Sequence, residues 1–275
     1  MLFLLKTLLS LSFSYIPHSH FILKQVGENH GKGGYKVIQE VAFQSAQERI
    51  VVQEVWTIDE GLQMHLEAKG TGINYSAKYD FNNKYYLTSK NDYKKTGLSF
   101  DFFENILYLR EAKDIARRLY RMKAIDSKIL ENQKRFYHLS QVEYKSQDFI
   151  RLARLDDSVT YAFSQSSEPK TSNDQPGFWV SQNDFHLLGL QLPSGVKISL
   201  KDYDKYTRNL HLAKLRTIEW QDNKVPVQIL SVNNIIVGKE TKKLLDVKST
   251  DGLKPLQFSE SKLARVIADF YQRFR

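Results

Sequence analysis

The chain has 275 residues, of which 41% are hydrophobic, 26% charged and 12% aromatic; 40 lysines and arginines face 31 aspartates and glutamates, a net charge of +9. This composition excludes a disordered chain and allows one large β domain or two small ones with a sizeable core. The absence of cysteine excludes disulfides, thiolate metal sites, a cysteine nucleophile and a lipobox cysteine, while the basic excess fits either an anionic partner or a merely basic surface.

The first residues, MLFLLKTLLSLSFSYIPHSH, carry one charged side chain, Lys6, in a mostly apolar run from Met1 to Ile16. The run is too short to span a bilayer. It fits a secretory signal with Ser12-Phe13-Ser14 as the small-x-small cleavage pattern, although Leu2–Leu5 precede the charge. Residues 1–20 are therefore expected to be a signal peptide and the protein to be exported, with the mature chain starting near Tyr15 or a few residues later. GENHGKGGY (27–35) reads as a flexible lead-in.

Strands follow in series. YKVIQEVAF (35–43) and RIVVQEVWTI (49–58) are rich in β-branched residues, and LQMHLEA (62–68) places Leu62, Met64, Leu66 and Ala68 on one face. INYSAKYDF (73–81) alternates without a break: Ile73, Tyr75, Ala77, Tyr79 and Phe81 point one way, and Asn74, Ser76, Lys78 and Asp80 the other, toward water. KYYLTSK (84–90) follows a turn at Asn82-Asn83.

Beyond Gly97 the period changes. Asp101 and Glu104 have capping-box spacing, and residues 102–125 have helical spacing, with Ile115, Leu119 and Met122 on one side and Arg117, Arg118 and Arg121 on the other. Lys128–Tyr144 reads ambiguously. From Arg110 to Arg135 there are nine basic residues against four acidic ones, a solvated helix face or a surface for phosphate-bearing headgroups or an acidic partner. Strands resume at 148–155, 158–164, 178–180, 185–192, 196–203, 215–222 and 225–237, with turns at Asp156-Asp157, Pro193-Ser194-Gly195 and Asn223-Lys224 and a polar loop over 166–177. Residues 259–274 form an amphipathic helix with a stripe of Leu263, Val266, Ile267, Phe270 and Phe274. The expected fold class is α+β and β-rich: a curved antiparallel sheet, or unclosed β-barrel, with helices packed on its concave face. Residues 21–258 form a single β domain with a basic helical insert at about 98–145, followed by the helix of 259–275.

Catalytic motifs are not assembled. GENHGK lacks the spacing and final Ser/Thr of a phosphate loop, and GTGINY ends in Tyr75 where a dinucleotide fingerprint needs glycine. His18 and His20 lie near the cleavage site; His30, His65, His138, His186 and His211 are scattered singly. Glu40/Glu54 and Asp156-Asp157 are the adjacent carboxylates, read first as solvated acids and a turn. No nucleophile, base and stabiliser come within reach of one another in the pattern, so a non-catalytic protein without cofactor or metal is expected.

The segment PGFWVSQNDFHLLGLQLPSGVKISLKDYDKY, followed by LRTIEWQDNKVPVQILSV, resembles the C-terminal half of LolA/LolB-type lipoprotein carriers: an aromatic pair (Phe178-Trp179), a basic-x-Ile-x-Trp strand (Arg216–Trp220) and a valine-rich hairpin (Val225–Val232). The likeness covers residues 35–90 and 176–237, and the basic insert and C-terminal helix depart from it. The resemblance implies an unclosed barrel with helices plugging its mouth and a cavity sheltering acyl chains in the periplasm; no single functional residue is carried over. On this basis Trp56, Met64, Leu66, Tyr75, Tyr79, Phe81, Trp179 and Trp220 are expected to line a cavity for acyl lipid or lipoprotein, and Arg117, Arg118 and Arg121 to contact anionic surfaces. Core packing is the competing expectation for the aromatics. The competing function is an envelope interaction or sensor module that docks an acidic protein through residues 110–135; nucleic acid is not expected.

Overall fold

The computed structural model describes residues 16–133, 149–164, 177–258 and 261–275. The leader run 1–15, most of the ambiguous 128–144 segment and most of the 166–177 loop lie outside them. Fourteen described strands join in one antiparallel sheet. The first meander comprises β1 (Gly34–Gln44), β2 (Arg49–Ile58), β3 (Met64–Gly70), β4 (Ile73–Tyr79), β5 (Asn83–Leu87) and β6 (Tyr93–Gly97). The second comprises β7 (Ile150–Leu155), β8 (Ser158–Ser164), β9 (Gly177–Ser181), β10 (Leu187–Gln191), β11 (Lys197–Lys205), β12 (His211–Trp220) and β13 (Asn223–Ile235). The two meet where β1 pairs with β13, so the order is β6-β5-β4-β3-β2-β1-β13-β12-β11-β10-β9-β8-β7, unclosed between β6 and β7. The short strand β14 (Gln257–Phe258) pairs with the start of β4.

The period-2 pattern sets one face inward. Across the first meander Val37, Trp56, Leu66 and Ala77 lie directly opposite one another in a row on that face, each essentially without exposure. Helix α1 (Ser19–Glu28), a 3-10 helix at Glu104–Tyr108, α2 (Ala112–Arg121), α3 (Ser127–Asn132) and α5 (Ala264–Arg273) accompany the sheet. They share one continuous core with its inner face: Val26, Ile106, Ile115, Ile129 and Phe270 belong to the same buried cluster as Trp56 and Trp220. The curved α+β architecture read from the sequence is what forms.

Several local expectations change. Residues 19–28, of which 19–20 were expected in the leader and 27–28 in a flexible lead-in, form α1, which packs against α2; a Cβ on Gly27 would lie 2.0 Å from the Arg110 carbonyl oxygen. Ser19 and His20 bond to Gln133. The helix expected over 102–125 is two pieces, the 3-10 helix and α2, and Asp101 and Glu104 do not cap it: Asp101 pairs with Arg273 and accepts from Ser194, and Glu104 is buried. The expected 84–90 strand ends at Leu87, and β6 and helix α4 (Lys239–Leu245) are elements that periodicity did not reveal. The final hairpin turns at Gln221-Asp222, one pair earlier than expected, with Trp220 opposite Asn223.

The outer face of β4 is wet at Asn74 but not beyond it. Lys78 and Ser76 are fully buried under residues 246–254. The Lys78 ammonium donates to the Asp246 and Ser249 carbonyls at 2.9 Å each, and Ser76 Oγ donates to the Gly252 carbonyl at 2.6 Å. A covering segment 168 to 178 positions further along the chain leaves no local trace in INYSAKYDF.

Candidate functional site

Polar residues in phase with the apolar stripes build a closed ring on the inner face. Gln39 lies between Val37 and Val41, Glu54 between Val52 and Trp56, and Arg216 two residues before Ile218. Each points inward with its apolar neighbours. Arg216 Nη1 donates to Glu104 at 2.7 Å and Nη2 to Gln39 Oε1 at 2.6 Å. Gln39 Nε2 donates to Glu54 at 2.6 Å. Arg275, just beyond α5, donates through Nε to both Glu54 oxygens at 3.0 and 2.9 Å and pairs with Glu104 at 3.3 Å. Trp56 Nε1 also reaches Glu54, at 3.3 Å. All five ring members are buried to 2% exposure or less. Burial opposes charge on the two guanidiniums, but the Glu104 and Glu54 carboxylates outweigh it and hold both arginines above their ordinary values. Charges buried in this way require their partners, because an orphaned ion cannot recover its hydration.

The ring fixes α5 across the middle of the sheet. Its stripe supplies Phe270 against Phe43 and Phe274 against Trp220, at 5.1 and 5.0 Å between ring centroids. Trp220 Nε1 donates to Asp269 at 2.7 Å, and Arg273 holds Asp101.

At the margin over β4–β6 the cover is incomplete. A cavity of about 430 Å³ opens there, walled by Tyr75, Tyr86, Leu98, Phe102, Leu256 and Tyr271 together with Lys84, Arg275, Gln272 and the hydroxyls of Thr88, Ser89, Thr96 and Ser99. Lys84 Nζ donates to the backbone oxygens of Tyr271, at 2.8 Å, and Arg275, and lies 5.5 and 5.4 Å from the Tyr75 and Tyr86 ring centroids. Burial, reinforced by Arg275, lowers its pKa to about 7. A second cavity, of about 710 Å³, lies on the outer face of β9–β12; Trp179 is in its wall, and Asp156, Asp157, Lys197, Lys201, Asp202, Glu219 and Lys224 surround it. It is the larger space, but an acyl chain there would lie among charges, so the smaller one suits apolar cargo.

The eight expected lining residues separate accordingly. Trp56, Met64, Leu66, Tyr75, Tyr79 and Trp220 are together on the inner face, each exposed by 2% or less. They are largely packed against cover: Tyr79 stacks on Phe102 at 5.0 Å and Tyr75 meets Tyr271 at 5.4 Å. Of the eight, Tyr75 is in the wall of the inner cavity. Phe81 falls past the end of β4, beneath Arg117 and Arg121, whose guanidiniums lie 5.7 and 5.8 Å from its ring. Trp179 points to the other face: Phe178 and Val180 take the inner side, and Trp179 pairs in register with Gly189, which lies opposite Ser199 and that in turn opposite Thr217.

Of the three arginines, Arg118 is a correction. It is 3% exposed and donates to the Ser99 carbonyl at 2.9 Å and to the Phe102 carbonyl, so it holds a loop rather than a surface. Arg117 pairs with Asp114 at 2.8 Å, and Arg121 donates to Asn82. Glu40 and Glu54 are not a pair, since Glu54 is in the ring and Glu40, next to inward Gln39, faces out. His186 and His211 are not isolated: Nε2 and Nδ1 are 3.0 Å apart, with His186 stacked on Tyr203. Among the described residues no group of three or more His, Asp or Glu side chains is placed to hold a metal ion, and no helix is long and apolar enough to cross a membrane.

No family model matches the chain and no curated protein matches it. Among solved structures it is similar to a LolA superfamily protein from Nitrosomonas europaea (9% identity, 82% of this chain and 97% of that one, TM-score 0.49). It is also similar to a provisionally designated outer membrane lipoprotein-sorting protein domain from Vibrio parahaemolyticus (12% identity, 84% and 98%, TM-score 0.46). A third is a DUF1329 family protein from Desulfovibrio piger (8% identity, 82% and 95%, TM-score 0.48). At TM-scores below 0.5 these likenesses carry no conclusion about ligand, activity or location.

Proposed function

We propose that the protein is an exported, non-catalytic envelope protein of the periplasm that binds acyl chains, of a lipid or a lipidated protein, in the cavity between α5 and β4–β6. One observation carries this reading: a cavity of about 430 Å³ on the inner face of the sheet, whose wall joins tyrosine, phenylalanine and leucine side chains to Lys84, Arg275 and several hydroxyls, within the range of small-molecule sites, roughly 300–1,000 Å³. Transfer of a chain into it is driven by about 0.8 kcal/mol per buried CH₂, before ordering costs. Its wall has no histidine and no carboxylate side chain, and its Lys84 ammonium is engaged by the backbone oxygens of Tyr271 and Arg275. Export rests on the apolar leader of residues 1–16.

The test is displacement of a fluorescent fatty acid. Ala268 lines the cavity from α5, and Ala268→Trp should fill it. The native protein is expected to bind the probe and Ala268→Trp to lose it with its unfolding transition kept; equal binding by both would place the probe elsewhere and reject this site.

The sealed centre of the inner face favours a second reading, a packed interaction module docking an acidic protein through residues 110–135. Absence of probe binding, with salt-sensitive retention on an acidic partner, would select it.

A further inference from the structure

We propose that loop 97–100 and the outer side of α2 form a docking surface for an anionic lipid bilayer, with Phe100 as the side chain that enters it. The inference rests on the acyl-binding reading above, and adds where the cargo is exchanged. Phe100 is 63% exposed and Tyr120 44%. Lys113, Arg121 and Lys123, exposed on α2 and just beyond it, and partly exposed Arg117 lie on this side of the chain, against Glu111 and Asp114, the latter paired with Arg117. Lys123 Nζ lies 5.6 Å from the Phe100 ring centroid, and Arg117 and Arg121 lie over Phe81. These pieces are one patch: Arg121 donates to Asn82, and the Asn82 carbonyl accepts from the Leu98 N–H at 2.9 Å.

Phe100 is presented by a pinned loop. Buried Arg118 holds the Ser99 and Phe102 carbonyls from beneath, and Ser99 accepts from the Asp101 and Phe102 N–H groups. The ring is therefore held outward, and its insertion orders little additional chain. Lysine and arginine attract anionic headgroups, and aromatic rings lodge at the membrane interface. The charge alone would also suit an acidic protein. What selects the bilayer is position: Leu98, bonded to Asn82, and Ser99, next to Phe100, are in the wall of the inner cavity. Docking there sets the cavity mouth beside the place where acyl chains reside.

The test is co-sedimentation of the full chain with phosphatidylcholine vesicles, with and without phosphatidylglycerol. Binding is expected only with phosphatidylglycerol and should weaken with salt. Arg121→Glu plus Lys123→Glu should cost well over tenfold, since each nearby cation contributes roughly fivefold. Phe100→Ala should weaken binding severalfold with the unfolding midpoint unchanged, and the tryptophan of Phe100→Trp should shift to the blue on these vesicles alone. No vesicle binding, binding indifferent to these variants, or capture by a soluble acidic protein without vesicle binding would each overturn the proposal. Ala268→Trp separates the two claims. Vesicle binding kept while the fatty-acid probe is lost is the expected result. Probe binding without vesicle binding removes the docking surface alone, and vesicle binding by a native chain that takes no probe removes the acyl reading on which exchange depends.

Discussion

Over β1, β2 and β12 the inner face of the sheet is sealed, whereas over β4–β6 it is open to a cavity, although β2 and β4 present the same alternation with inward aromatic side chains. The difference lies in the cover. At the centre α5 arrives with Arg275, which meets Glu54 and Glu104, while Arg216 meets Glu104 from the sheet. At the margin the corresponding cation, Lys84, finds no carboxylate side chain, only backbone oxygens and the Tyr75 and Tyr86 rings, and a cavity remains beside it. An apolar sheet face is core where a helix with matched charges seats on it, and a cavity where the helix stops short.

That contrast can be broken most severely at the ring. Arg216→Ala leaves Glu104 buried with one partner fewer and should destabilise by about 3–5 kcal/mol, read from urea midpoints. Arg216→Met with Glu104→Leu removes the pair together and should recover much of that loss. If the single change cost under about 1 kcal/mol, the ring would not be what seals the centre.

Acid should act next. His30 and His65 are held near pKa 4, chiefly by burial, with Arg110 beside the first and Lys78 beside the second adding to the effect. The unfolded chain takes up these protons near its ordinary 6.5, so their contribution is intact above 6.5 and is lost as pH falls from 6.5 toward 4. At the bottom of that window the loss is roughly 3 kcal/mol per histidine. Urea titrations at stepped pH should show this slope, and His65→Gln should flatten part of it. Smallest is the exposed pair Arg117–Asp114, for which Arg117→Ala should change stability by about 0.5 kcal/mol or less, in contrast to Arg216.

Much of the fold is legible in the sequence because period-2 stripes such as Val37–Trp56 partners survive into the sheet. The helix stripe of Leu263, Ile267, Phe270 and Phe274 likewise marks the buried side of α5. The ring was detectable in principle, since Gln39, Glu54 and Arg216 are polar residues in phase with apolar neighbours; what the pattern cannot provide is their mutual closure, which depends on β1 pairing with β13. Trp179 was misplaced because Phe178-Trp179 occupies both faces and an aromatic pair does not say which is inner. Lys84, β6 and the cover of Lys78 by residues 246–254 leave no periodic signal. Glu104 resembled a helix cap because capping and burial use the same residue at the same spacing.

The central claim is that the margin of the inner face holds cargo while the centre is sealed. Native mass spectrometry of the protein produced with its own leader and isolated from the periplasm tests it most directly. The expected result is added mass that is removed by organic extraction, identified as acyl lipid or lipopeptide, and missing from Ala268→Trp. A bare protein mass, unchanged after incubation with lipids and lipopeptides, would contradict it and make the whole inner face core.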